Sequence, residues 1–274
     1  MTSSSRTDAK SAMLAFDEET GRKLEAIYLT ADAVARRQTL RSALHLQAGE
    51  CGLYIGSGPG LAPCELAEAL GPAGRLVVIE KNPAMLAMTE RRAVRDGLFD
   101  RLDLREGDAA ALPFADGAFA FVGSAQVFEY VPDVAGAVAE AYRVLQPGGR
   151  LALVDTDWQT LIWHVDDAEL GARVAKAFES HLAHNHLPRR LKPLLSRSGF
   201  RVERVEPLIL LNTDYNPNAF SFMLLHIVAD YIRGTGKLSP AEVDSWVADV
   251  QARGGDGSYF FSLNQYLFVA SKPA

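Results

Sequence analysis

The residues with the clearest chemical promise begin at Gly56. The run Gly56-Ser57-Gly58-Pro59-Gly60 follows a short apolar stretch at residues 52–55 and leads straight into a helical pattern. Glycines so placed let a backbone turn tightly and let a ligand approach without a Cβ in the way, and the helix that follows offers unpaired N–H groups to negative charge. The turn suits a cofactor. Its GxGxG spacing is one residue shorter than the GxGxxG that cradles a dinucleotide pyrophosphate.

Two acids narrow the choice. Glu80 ends the second apolar run, twenty residues after Gly60, where a carboxylate can accept hydrogen bonds from both ribose hydroxyls of an adenosine group. That geometry serves NAD and S-adenosylmethionine alike. Asp108, within Glu106-Gly107-Asp108-Ala109, stands where an acid can accept from an adenine amino group while Gly107 lets the backbone reach the ring. A dinucleotide fold needs no acid there, so the spacing and Asp108 together disfavour a nicotinamide dehydrogenase.

Chemistry on the acceptor side is expected farther along the chain. Asp155-Thr156-Asp157-Trp158 leaves the fifth apolar run, and Trp163-His164 follows. Aromatic walls with one imidazole suit binding and deprotonating a hydroxyl, which makes His164 the candidate general base and Trp158 and Trp163 candidate walls. Phe220, Met223, Leu224, Ile227, Val228 and Tyr231 share one helix face, a pattern of core packing, with Phe220 and Leu224 as candidates to line an apolar pocket. His181, His184 and His186 read HxxHxH, but no carboxylate or Cys completes a ligand set, so no metal is expected. Arg189, Arg190, Lys192, Arg197 and Arg201 form a local basic run, read as a solvated face.

These residues need a scaffold of a particular kind. Apolar runs at 52–55, 75–79, 101–105, 119–122, 151–154, 201–209 and 266–270 predict strands, and helical patterns at 61–70, 83–96 and 134–145 fill the gaps. Asp133 is placed to cap the last of these helices, and Pro147-Gly148-Gly149 to end it. Alternation of strand and helix predicts an α/β protein with a three-layer, Rossmann-like doubly wound sheet that is mostly parallel. Residues 1–48 are expected as a helical N-terminal segment and 49–274 as the main domain. Insertions at about 157–200 and 212–257, mostly helical, would cap the carboxyl ends of the strands, where ligands lie in this fold.

In order and spacing, GLYIGSGPG, VVIEKNPAML, REGDAAALPFADGAFAFV, QVFEYVPD and RVLQPGGRLALVD resemble the class I S-adenosylmethionine-dependent methyltransferases. The nearest likeness is to the group that includes ubiquinone and menaquinone biosynthesis methyltransferases, over residues 50–156. The resemblance implies an antiparallel last strand in the sheet and S-adenosylmethionine as cofactor, with Gly56, Ser57, Gly58 and Gly60 under its methionyl part. It implies Glu80 on the ribose with Lys81 beside it, Met85 on the adenine, Gly107, Asp108 and Ala109 along the adenine edge, and Gln126 between cofactor and substrate. One position departs from the pattern: the family usually has an acid two residues before the first glycine, and this chain has Tyr54.

Composition bounds the rest. With 274 residues, 48% hydrophobic, 23% charged and only two Cys, the chain is neither disordered nor a disulfide scaffold. A formal net charge of −6 argues against broad nucleic-acid binding and for a small-molecule substrate. The most apolar stretch, 220–232, is interrupted by His226 and Asp230 and is too short to span a bilayer. Residues 1–10 are polar and lack the apolar core of a secretory signal, so a cytoplasmic protein is expected. The expected activity is methyl transfer to a small, partly apolar molecule; the alternative is a protein of the same fold that binds the cofactor without transferring methyl, as a cyclase, binder or regulator.

Overall fold

A computed structural model describes residues 18–274; residues 1–17, and with them the opening part of the expected N-terminal segment, lie outside the described residues. Two helices lead, α1 (Glu18–Tyr28) and α2 (Ala31–Ala43). The alternating core follows as β1 (Cys51–Ile55), α3 (Leu61–Leu70), β2 (Arg75–Glu80), α4 (Pro83–Arg95), β3 (Leu102–Glu106), β4 (Phe119–Ala125), α5 (Val134–Val144) and β5 (Leu145–Trp163). Then come α6 (Ala168–Phe178), α7 (Pro188–Arg197), β6 (Arg201–Asn212), α8 (Phe220–Thr235), α9 (Pro240–Asp256) and β7 (Phe261–Ser271).

The seven strands form one sheet in the order β3-β2-β1-β4-β5-β7-β6. The first five pair in parallel, and β7 runs antiparallel to both β5 and β6, as the family resemblance implies. Side chains alternate across β1: Leu53 and Ile55 face a core completed by α5 and α7, while Tyr54 faces one completed by α2, α3 and α4. Two layers of helix thus enclose the sheet. Local signals act where expected, since the Asn82 side chain caps α4 through the N–H groups of Ala84 and Met85, and Asp133 caps α5 through Gly136 at 2.9 Å. Pro147-Gly148-Gly149 lies in the first residues of β5, where the register with β4 shifts between Phe119 and Phe121.

A third core belongs to the cap. It unites α6, α8 and α9 with the outer ends of β5, β6 and β7 and with Ile27 and Ala33 of the leading helices. Here the expected boundary is corrected. Residues 157–163 are not part of a helical insertion but extend β5 past a bulge, pairing Ile162 with Ser262 and Trp163 with Phe261. The polar run Asp155-Thr156-Asp157 resembles a strand end, yet all three side chains are buried and the strand passes through them.

Candidate functional site

At the carboxyl ends of β1, β2 and β3, the sheet opens into a cavity of about 420 Å³, within the range of small-molecule sites. The glycine turn forms one wall. Gly56, Gly58 and Gly60 all take left-handed backbone angles, and a Cβ on Gly60 would stand 2.7 Å from the Thr89 Cα. Glu80 braces this turn from the tip of β2. Its Oε2 accepts from the N–H groups of Ser57 at 2.7 Å and Gly58 at 3.3 Å, and its Oε1 from Asn82 at 2.9 Å.

The sequence-predicted cofactor residues Gly56, Ser57, Gly58, Glu80, Lys81, Met85, Gly107, Asp108, Ala109 and Gln126 all line this one cavity. Gly60 lies just behind it, as the N-cap of α3 against Thr89. Asp108 accepts from Lys81 Nζ at 2.8 Å and from Ala110 N–H at 2.9 Å, and those bonds hold its carboxyl below the usual range. A carboxylate has about four acceptor sites, so Glu80 and Asp108 both keep capacity for a ligand. Turn, acids and the buried Met85 are therefore of the right chemistry and spacing for an adenosine-bearing cofactor.

Tyr54 takes the place of an acid on β1. Its side chain is buried across from Gly123 of β4, where a Cβ would meet the ring at 3.1 Å, and burial raises its hydroxyl pKa. Gln126, at the end of β4, holds a left-handed conformation (φ 55°), unusual for a residue other than glycine and of a kind that clusters at functional sites. Its backbone N–H donates to Val154 O at 2.6 Å.

The opposite side of the cavity is built from residues that carry no motif in the sequence. Tyr28 and Leu24 of α1, Arg36 and Arg37 of α2, and Tyr130, Val131 and Pro132 after β4 complete its lining. Arg36 donates to the Gln126 Oε1 and to Gln265 Oε1 at 3.3 Å, and its guanidinium lies 5.2 Å from the Tyr28 ring centroid. Both glutamine Nε2 groups donate to Thr156 Oγ1 at 3.1 Å. Glu129, fully buried behind this group, accepts from Thr156 N–H at 2.7 Å and Trp158 Nε1 at 3.0 Å. Burial pushes its carboxyl up to about 7 against those bonds, and burial together with the charge of Glu129 raises that of Asp155 as well. One signal for Arg36 and Arg37 did exist: they stand on the same helix stripe as Ala33, Leu40 and Leu44, where a charge is out of place.

The expected acceptor residues are not brought to this cavity. His164 lies at the exposed end of β5 on a separate apolar groove, its Nδ1 2.9 Å from Ser258 O and its backbone N–H bonded to Phe260 O. Trp163 lines that same groove and packs on Trp246 and Phe261. Trp158, Phe220 and Leu224 are buried in the cap core. The extension of β5 explains the difference, because it carries residues 158–164 away from the sheet's ligand edge instead of folding them back over it. His181, His184 and His186 go to separate partners, Phe178 O, Val131 O and Asn185 Oδ1. Among the described residues no cluster of three His, Cys, Asp or Glu is arranged for a metal, and no helix is long and apolar enough to cross a membrane.

Residues 53–153 match the family model described as a methyltransferase domain. In sequence, a demethylmenaquinone methyltransferase of Oceanobacillus iheyensis is 31% identical over 127 residues, covering 46% of this chain and 52% of the relative, so the match spans about half of that protein's length. Among solved structures, the [4+2]-cyclase SpnF aligns with a TM-score of 0.59 and 20% identity over 88% of this chain and 81% of its own. A phosphoethanolamine N-methyltransferase of Haemonchus contortus, in complex with S-adenosylhomocysteine, aligns with a TM-score of 0.63 and 17% identity over 94% of this chain and 58% of its own. At these identities the structural likeness establishes the Rossmann-like methyltransferase fold.

Proposed function

From the match of residues 53–153 to a methyltransferase domain we propose a class I S-adenosylmethionine-dependent enzyme that moves a methyl group to a small, partly apolar acceptor in the cytoplasm. The observation that carries this reading is the placement of Glu80, held by two backbone N–H groups of the glycine turn and a third from Asn82 at the mouth of a cavity that also holds Met85 and Asp108. When bound, S-adenosylmethionine supplies a sulfonium methyl already activated for in-line displacement.

The side chains have a positioning task. Glu80 is suited to hold the ribose hydroxyls, Met85 to pack on the base and Asp108 to accept from its amino edge. Gln126, fixed by Arg36, Thr156 and a left-handed backbone, stands where it can orient an acceptor. Tyr28, Leu24, Tyr130 and Val131 offer apolar walls that exclude water. Among the described residues no histidine lines the cavity, which favours rate enhancement by alignment over general-base help.

Tyr54 and the likeness to a cyclase favour a second reading, a cofactor-binding protein that keeps its methyl. Mass spectrometry separates the two. The protein incubated with S-adenosylmethionine and a panel of small hydroxy, amino and carbon acceptors yields S-adenosylhomocysteine under the first reading; tight binding with no product for any acceptor class supports the second.

A further inference from the structure

Among the described residues Arg36 is a buried cation without a counter-ion. Its guanidinium is charged at any working pH, and a buried charge is ordinarily paired. Three other largely buried arginines obey that rule: Arg37 pairs with Glu65 at 2.9 Å, Arg150 with Glu50 at 2.7 Å, and Arg92 with Glu25. Arg36, 5% exposed, has only neutral partners, the Gln126 and Gln265 carbonyls on Nη1 and the face of Tyr28. Its Nε is buried with no partner, and Nη2 donates to nothing among the described residues. The charge of Glu129 is felt by Arg36, but that carboxylate accepts from Thr156 and Trp158, and the two residues form no ion pair.

The unused edge has a definite shape. Nε–H and Nη2–H point the same way and are spaced for a bidentate carboxylate, the mode Arg189 uses on Asp157 at 2.7 and 3.1 Å in this same chain. Its position also has a side. Gln126 follows β4 and Gln265 lies on β7, so the guanidinium sits over β4, β5 and β7, whereas Glu80 stands on β2, on the other flank of β1. We propose that the methyl acceptor carries a carboxylate, and that Arg36 binds it through Nε and Nη2 while Gln126, Gln265 and Thr156 hold the guanidinium in place. This rests on the methyltransferase reading above and adds the substrate class to it.

The test uses the full chain saturated with S-adenosylhomocysteine and titrated with benzoate and octanoate, each against its neutral amide. The wild type binds at least one carboxylate about tenfold or more tighter than its amide, and Arg36→Met levels the two, as expected for a lost charge-assisted bidentate contact. Arg36→Met also keeps its affinity for S-adenosylhomocysteine within about threefold. Should that variant fail to fold, Arg36→Lys retains the charge without the fork and lowers the carboxylate-to-amide ratio. An equal ratio in wild type and variant, or no carboxylate binding by the wild type, overturns the proposal. So does a loss of S-adenosylhomocysteine affinity with 5′-methylthioadenosine binding unchanged, since the carboxylate would then be the cofactor's own. A wild type that binds no S-adenosylhomocysteine removes the underlying reading as well, which tells the two failures apart.

Discussion

The two flanks of the cavity obtain their polar atoms in different ways. On the flank of β1, β2 and β3, the contacts of Glu80 and Asp108 come from turns at strand ends: residues 56–60, 80–82 and 107–110. On the flank of β4, β5 and β7, residues 36, 126, 129, 156 and 265 converge from the length of the chain into one buried network. Short local turns hold a constant, shared ligand part, and a network assembled from distant elements can vary with the acceptor while the sheet stays the same. The contrast predicts that damage to the first flank is read in cofactor binding, and damage to the second in stability and acceptor choice.

The largest expected effect falls on the second flank. Glu129→Ala leaves the Thr156 N–H and the Trp158 indole without acceptors in a buried setting, and unfolding in urea is expected to show a loss of about 2–4 kcal/mol. A loss below about 0.5 kcal/mol would mean that the network carries little of the cap's stability. Gly60→Ala comes next. It forces a Cβ into the left-handed region and against the Thr89 backbone, for a cost of about 2 kcal/mol together with weaker cofactor binding.

A pH profile sharpens the comparison at smaller scale. The carboxyl of Glu129, raised to about 7, binds its proton in the folded state where the unfolded chain has released it. Stability is therefore fullest below the ordinary carboxylate range and falls as pH rises through about 7. Asp155 is raised in the same direction, so Glu129→Gln makes the slope shallower without abolishing it. Thermal unfolding followed from about pH 5 to pH 8 tests this, and a stability that climbs with pH across that window would contradict it. The smallest effect belongs to His164. Because it lies outside the cavity, His164→Ala is expected to leave turnover within about threefold, and a hundredfold loss would restore it as the base.

How much of this was legible in the sequence follows the same division. The strands, their order of appearance, and the turn at Gly56 with Glu80 and Asp108 all leave local marks: short apolar runs, glycines at tight spacing, acids at strand ends. Arg36 and Gln265 leave none that names a partner, because their meeting depends on α2 crossing the sheet edge and on β7 inserting between β5 and β6. The aromatic residues after Asp157 misled for a physical reason. Asp157 is held by Arg189, and Asp155 receives the N–H of Glu129, so polar side chains that signal a strand's end in a sequence are neutralised inside one here. Trp158 and Trp163 then ride the extended strand into the cap.

The central claim is that the cavity beneath the glycine turn binds S-adenosylmethionine through Glu80. Isothermal titration of the wild type and Glu80→Ala with S-adenosylhomocysteine tests it most directly. The account predicts one site per chain in the wild type and a Kd weakened about ten- to hundredfold in the variant, equivalent to about 1.5–3 kcal/mol for hydrogen bonds to a charged group. An unchanged Kd in a folded Glu80→Ala protein, or no binding by the wild type, would contradict it.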